Sequence, residues 1–110
     1  MISRGDVVIV AVKGPYSGKP RPAVVVQSNQ LGEHVSVLVC LVVGAEDAVT
    51  AAFRLVIEPS DANGLSKPSL VQADRIVTVP RANIGQHIGR LDDADLGRLG
   101  AALASVLGLR

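Results

Sequence analysis

The sequence predicts a mainly β protein: a small, curled antiparallel barrel of six to seven short strands with a C-terminal α-helix, in a single domain over residues 1–110. Three observations carry this prediction. Short apolar runs rich in valine and isoleucine recur along the chain, each bounded by glycine, proline or Asn-Gly turn signals. The apolar spacing changes after Leu91 to steps of three and four. A chain of 110 residues can bury one adequate core without metal or disulfide staples.

The elements follow in order. DVVIVAV (Asp6–Val12) is a first strand, and AVVVQ (Ala23–Gln27) a second. VSVLVCLVV (Val35–Val43) is a third, and its nearly unbroken apolarity predicts burial on both faces. FRLVIE (Phe53–Glu58) is a fourth, with Phe53, Leu55 and Ile57 on one core face. PSDANGLSKPS reads as a turn-rich loop. SLVQADRIVTVPR holds a short fifth strand and a sixth, Arg75–Val79, and Gly85–Leu91 is a short seventh. Then Asp92, Asp93 and Asp95 form an acidic first helical turn, which suits the helix dipole. Leu96, Leu99, Leu103 and Val106 make the apolar helix face, and Gly108 can end it. Gly97 and Gly100 each weaken the helix by up to about 1 kcal/mol and permit another backbone to come close. Barrel closure removes exposed strand edges, and the helix covers the open side.

Composition narrows the function classes. Apolar residues make up 48% and the mean hydropathy is positive, so the chain is globular, with polar coverage thin enough to predict a partner or dimer interface. No apolar run reaches about 18 residues, which predicts no membrane span. MISRGD enters a strand pattern directly, which predicts no signal peptide. The lone Cys40 sits in an apolar run and reads as packing in a cytoplasmic protein. Net charge is +1 but unevenly spread: residues 1–32 carry +3, 33–58 carry −3, 59–90 carry +2 and the last twenty −1. The whole chain is therefore no basic nucleic-acid coat, but its two basic segments would form a local anion site if folding brings them together.

No cysteine–histidine cluster with metal-ligand spacing occurs, and His34 and His87 stand alone as surface or structural histidines. The richest loop is GPYSGKPRP. It is either a stiff connection between antiparallel strands or an anion site. In the second reading Lys19 and Arg21 supply charge and Tyr16 a stacking face. Prolines on both sides of Arg21 restrict its backbone, which favours bidentate phosphate contact. In NGLSKPS, Lys67 beside Pro68 is part of a turn or joins Lys19 in a basic rim. In VQADRIVTVPRA, Asp74 reads as a turn cap. Arg75 and Thr78 are solvated or contact a ligand, although a spacing of three puts them on opposite strand faces.

Taken together, RGDVVIV, KPRPAVVVQSN, NGLSKPSLVQADRIVTVPRANIGQHIGRL and the terminal LGL resemble the PemK/MazF group of toxin–antitoxin endoribonucleases, related in fold to the CcdB gyrase poison. The resemblance covers nearly the whole chain in order. It implies an SH3-like barrel that forms a homodimer and cleaves single-stranded RNA in the cytoplasm without a metal or other cofactor. A co-expressed antitoxin protein would silence it by laying a disordered, acidic or amphipathic segment over the RNA groove. The family's central arginine falls on Arg21, which would stabilise charge on the phosphorane; an arginine resists deprotonation and makes a costly general base. Lys19, Tyr16, Ser17, Lys67, Arg75 and Thr78 are the substrate-binding candidates that accompany it. The family's threonine at the end of strand three falls near Val43 and Gly44, where this chain has no hydroxyl. Thr50 or Ser17 would have to supply one from a loop. Two alternatives stay open: a CcdB-like gyrase-binding toxin, which the aromatic-free end ASVLGLR disfavours, and a catalytically weakened homologue that only binds antitoxin or RNA.

Overall fold

The computed structural model describes residues 2–11, 19–32, 34–47 and 53–109. Six strands and one helix are laid out along them: β1 (Asp6–Ala11), β2 (Pro20–Val25), β3 (Ser36–Gly44), β4 (Arg54–Ile57), β5 (Ser69–Pro80), β6 (Ile84–Arg90) and α1 (Asp93–Val106). The strands form one antiparallel sheet in the order β4-β5-β3-β2-β1-β6. The mainly β architecture with a single C-terminal helix is the one the sequence predicts.

Both faces of the sheet are buried. Val7, Val24, Cys40, Val42, Ile57 and Val71 meet Leu99 and Leu103 of α1 in one core cluster. Val8, Val10, Ala23, Val25, Val37, Val39, Leu41 and Val79 make a second. Alternate residues of β3 enter the two clusters, which explains its unbroken apolar run. Burial pushes the Cys40 thiol up to about 12, as expected for a packing residue. The helix opens with the Asp92 side chain accepting from the Asp95 N–H at 2.7 Å, and Gly108 follows it at φ 73°.

Several boundaries differ from expectation. The anticipated fifth and sixth strands are one twelve-residue strand, β5. Its register against β3 shifts between Cys40 and Val42, so a bend absorbs the polar QADR segment without ending the strand. β2 starts at Pro20, three residues early, so Arg21 is a strand residue and not a loop residue. Phe53 lies just before β4 and is 36% exposed, because that edge of the sheet is only partly covered by α1. Val106 is likewise exposed at the helix end. Among the described residues, a Cβ on Gly97 would meet nothing within 4 Å, and one on Gly100 only the Arg4 guanidinium at 3.5 Å, so no described backbone uses the space at either glycine.

Candidate functional site

The site is built at one end of the sheet, where β2 begins and β3 ends. β1 pairs with β2 from Val7 to Ala11, with Ala11, Val10 and Ile9 opposite Pro20, Arg21 and Pro22. The β2–β3 ladder, by contrast, runs only from Ala23 to Val25. Proline has no N–H to give to a ladder and is tolerated where a strand edge is open. Pro20 and Pro22 therefore stop the β2–β3 pairing short and leave Arg21 at the split. Continuing the same register would set Arg21 across from Val43, the position that the sequence singled out. Arg21 shares its face with Ala23 and Val25, so its stem leaves the strand from the second core cluster, and its Nε is shielded from solvent. Lys19, next to the strand, is exposed.

The far wall comes from the end of β3 and the start of β5. Gly44 pairs with Ser69, and the Ala45 N–H donates to the Pro68 carbonyl at 3.0 Å. A Cβ on Gly44 would stand 3.0 Å from Lys67 Nζ, so the lysine occupies the space a side chain at 44 would need. Lys67 Nζ donates to Glu46 Oε1 at 2.8 Å, with both side chains more than half exposed. This hydrogen bond holds the Glu46 carboxyl below the usual carboxylate range. The Ser69 hydroxyl is occupied, donating to the Lys67 carbonyl at 2.8 Å.

The loop that carries Lys67 is held from beneath. Buried Asn63 accepts from the Ser60 and Leu65 N–H groups at 3.0 Å each and donates to the Glu58 carbonyl at 2.9 Å. Gly64 has φ +72°, and a Cβ there would fall 1.9 Å from the Ile88 carbonyl oxygen. A Cβ on Gly89 would fall 2.3 Å from the Asn63 carbonyl carbon, and the Arg90 N–H donates to the Ala62 carbonyl at 2.8 Å. The Asn-Gly step is thus more than a turn: it lets the loop backbone lie directly on β6.

Of the substrate-binding candidates, the structure brings Lys19 and Lys67 to the same sheet end as Arg21. Thr78 pairs with Leu38, six residues along β3 from Gly44, or about 20 Å at strand rise. Arg75 lies between, exposed in the bent part of β5 beside Asp74. Asp74 caps no turn. It accepts from Arg54 Nε at 3.1 Å and Nη2 at 2.9 Å, a two-pronged pair between β4 and β5. Tyr16, Ser17 and Thr50 lie outside the described residues. Glu46 was not legible as part of a site, nor was the contact of Gly44 with Lys67, because both contacts span more than twenty positions and depend on the loop fold. His34 is exposed, and His87 Nε2 lies 3.5 Å from Asp6 at the β1–β6 edge. Among the described residues, no three His, Cys, Asp or Glu side chains converge as a metal site, and no helix is long and apolar enough to cross a membrane.

Cations that reach one strand end from separate elements suit a polyanion, each offering donors to a different group along it. Comparisons with known proteins fit that chemistry. Residues 3–107 match a family model described as the PemK-like, MazF-like toxin of type II toxin–antitoxin systems. The chain is similar to the probable endoribonuclease MazF of Mycolicibacterium smegmatis, with 37% identity over 106 residues and 96% of each chain covered. It also resembles the solved structure of an endoribonuclease in complex with its cognate antitoxin from a mycobacterial species. There the TM-score is 0.81 at 23% identity, covering 100% of this chain and 98% of that one. The Mycobacterium tuberculosis toxin MazF-mt6 gives 0.79 at 22% identity, with coverages of 96% and 98%. At these identities the two structural likenesses speak for the fold.

Proposed function

The chain belongs to the PemK-like, MazF-like toxin family, and from that premise we propose that it is the toxin of a type II toxin–antitoxin pair, an endoribonuclease that cuts single-stranded RNA. The observation that carries the reading is Arg21 at the split between β2 and β3, fixed by a proline on each side. In the proposed reaction the RNA's own 2′-oxygen bonds to the adjacent phosphorus and the bond from phosphorus to the 5′-oxygen breaks. The 2′-proton leaves to an acceptor, and the departing oxygen takes up a proton. The products are a cyclic phosphate and a 5′-hydroxyl. Arg21 contributes by donating to the phosphate oxygens as negative charge gathers on them. Lys19 and Lys67 hold neighbouring phosphates. Tyr16 and Ser17 are further candidates for RNA contact, and Arg75 and Thr78 contact RNA or antitoxin farther along β5. The working form is a cytoplasmic homodimer, and the silencing partner is an antitoxin segment over the same groove.

The test is end-mapping of a mixed-sequence single-stranded RNA after incubation with the protein in EDTA. Cleavage with 5′-hydroxyl products that Arg21→Ala abolishes is the expected result. Intact RNA in the presence of well-folded dimer would overturn it. The family assignment favours this reading over gyrase binding, and a supercoiling assay would expose the alternative. One observation favours a second reading, a weakened homologue that only binds: the end of β3 carries Val43 and Gly44 and no hydroxyl. Losing one oxyanion donor costs about 10²–10³ in rate. Absence of cutting by the native chain, with cutting restored by Val43→Thr, would select that reading.

A further inference from the structure

We propose that Glu46 is a built-in electrostatic gate on the RNA site: it holds Lys67 in the RNA-free protein, and an RNA phosphate displaces it to take Lys67 as its own ligand. The inference rests on the RNA-binding reading above and deepens it.

Three features place this pair at the site. Lys67 Nζ lies 3.0 Å from where a Cβ on Gly44 would be, so its ammonium sits at the end of β3. Gly44 is the residue after Val43, which would face Arg21 if the β2–β3 register continued past the Ala23–Leu41 pair. Side chains alternate along a strand, so Lys67 and Arg21 flank the end of β3 from its two faces. The path to that position is fixed, since the loop is anchored through Asn63 and the close backbone contact of Gly64 with Ile88. Glycine at 44 is what makes room for the ammonium.

The partner of Lys67 is the unexpected part. A basic phosphate site gains nothing from a carboxylate 2.8 Å from one of its cations, unless that carboxylate is meant to be exchanged. The pair is easy to open. Its side chains are 54% and 58% exposed, and exposed pairs of this kind shift an equilibrium by a factor of about five at most. A backbone phosphodiester carries the same single charge and two free oxygens as the carboxylate it replaces, so the exchange is nearly even at Lys67 and is driven by the other contacts of the strand. Exchange also returns Glu46 to water, where a carboxylate is well solvated. The consequence is selectivity: a single small anion does not dislodge Glu46, whereas a polyanion held by its other contacts does.

The experiment measures binding of a short single-stranded RNA analogue lacking 2′-hydroxyls, by fluorescence anisotropy across a salt series. It compares native protein with Lys67→Met, Glu46→Gln, the double variant and Arg21→Ala, each checked for native circular dichroism. Lys67→Met should weaken binding about tenfold and flatten the salt dependence by about 0.7 in log–log slope, one phosphate contact on a single strand. Glu46→Gln should tighten binding about two- to fivefold and steepen the slope. The double variant should match Lys67→Met, because the gate acts only through the lysine. Unchanged affinity in Lys67→Met overturns the proposal, as does a Glu46→Gln effect that persists without Lys67. Loss of cleavage of natural RNA at saturation in Glu46→Gln would also overturn it, by making Glu46 a proton acceptor. Arg21→Ala separates the two levels. If it binds normally while Lys67→Met does not, the Arg21 reading fails and the Lys67 site stands.

Discussion

Two corners of the molecule carry charged side chains on strand ends, and they use them in opposite ways. At the start of β1, Asp6 is nearly buried. Its carboxylate accepts from the Ser3 N–H at 2.8 Å and from Arg90 Nη1 at 3.2 Å, with His87 Nε2 at 3.5 Å. At the end of β3, Glu46 and Lys67 meet at 2.8 Å with more than half of each side chain in water. Geometry alone would rank the second contact as the better one. Burial reverses the ranking, because an ion taken out of water must keep its partners and an exposed ion need not. The first corner is a clasp and the second is a solvated surface pair.

The loop at 58–68 ties the corners together, since it lies on β6 beside Arg90 and delivers Lys67 to the rim. Breaking that bridge should have the largest effect. Gly64→Ala places a methyl carbon 1.9 Å from the Ile88 carbonyl oxygen at a φ of +72°. The expected cost is about 3 kcal/mol or more, from overpacking against backbone plus left-handed strain. Urea denaturation gives the loss of stability. RNA binding by the surviving folded protein should lose salt slope as Lys67 → Met does, because the lysine is displaced. Retained stability would mean that the loop does not rest on β6.

Asp6→Ala comes next and tests the clasp. It leaves the Ser3 N–H and part of Arg90 without their acceptor and should cost about 2–3 kcal/mol. For a domain of this size that lowers Tm by roughly 10 °C. Cleavage per folded molecule below the transition should match the native chain. A specific loss of cleavage at full stability would move Asp6 from the clasp to the site.

The contrast explains what the sequence made readable. Valine-rich runs and the three-four leucine spacing declare which residues are buried, so the strand order of events along the chain and the helix were legible. Arg21 was legible too, because two flanking prolines are a local signal. Three features were not. The QADR segment looks like a strand break, and only the register shift against β3 shows one continuous β5. Phe53 has the right alternation for the core, but exposure at a sheet edge depends on how far α1 reaches. Gly44, Glu46 and Lys67 come together only after the loop has docked on β6, a contact made by glycine backbones that leave no charge or hydropathy pattern behind.

Arg54 and Asp74 lie between the two corners in burial and should lie between them in effect. Their side chains are 17% and 27% exposed, and both Asp74 oxygens are engaged. Hydrogen bonding from Arg54 holds the Asp74 carboxyl below the ordinary aspartate range. The unfolded chain therefore takes up this proton more readily than the folded one. The pair's stabilisation is complete above the unfolded value of about 3.9 and is lost as pH falls through the lower folded value. Asp74→Asn should be less stable than native protein at pH 7, by less than Asp6→Ala, and the gap should close in strong acid. A gap that widened as pH fell would contradict the sign of the shift.

Glu46→Gln marks the low end of the series. The Glu46 carboxyl is also held below its usual range, by Lys67, so the same direction applies: any contribution exists above the unfolded value and fades in acid. Here, however, water solvates both partners and competes for every donor. Urea midpoints of native protein and Glu46→Gln should coincide at pH 7 and still coincide at pH 4, within the scatter of repeated melts. A loss comparable to that of Asp74→Asn would make the rim pair a structural clasp like the one at Asp6. Coincident midpoints leave Glu46 with no stability role at a position where it neutralises a cation of the site, which is what a residue kept for exchange requires.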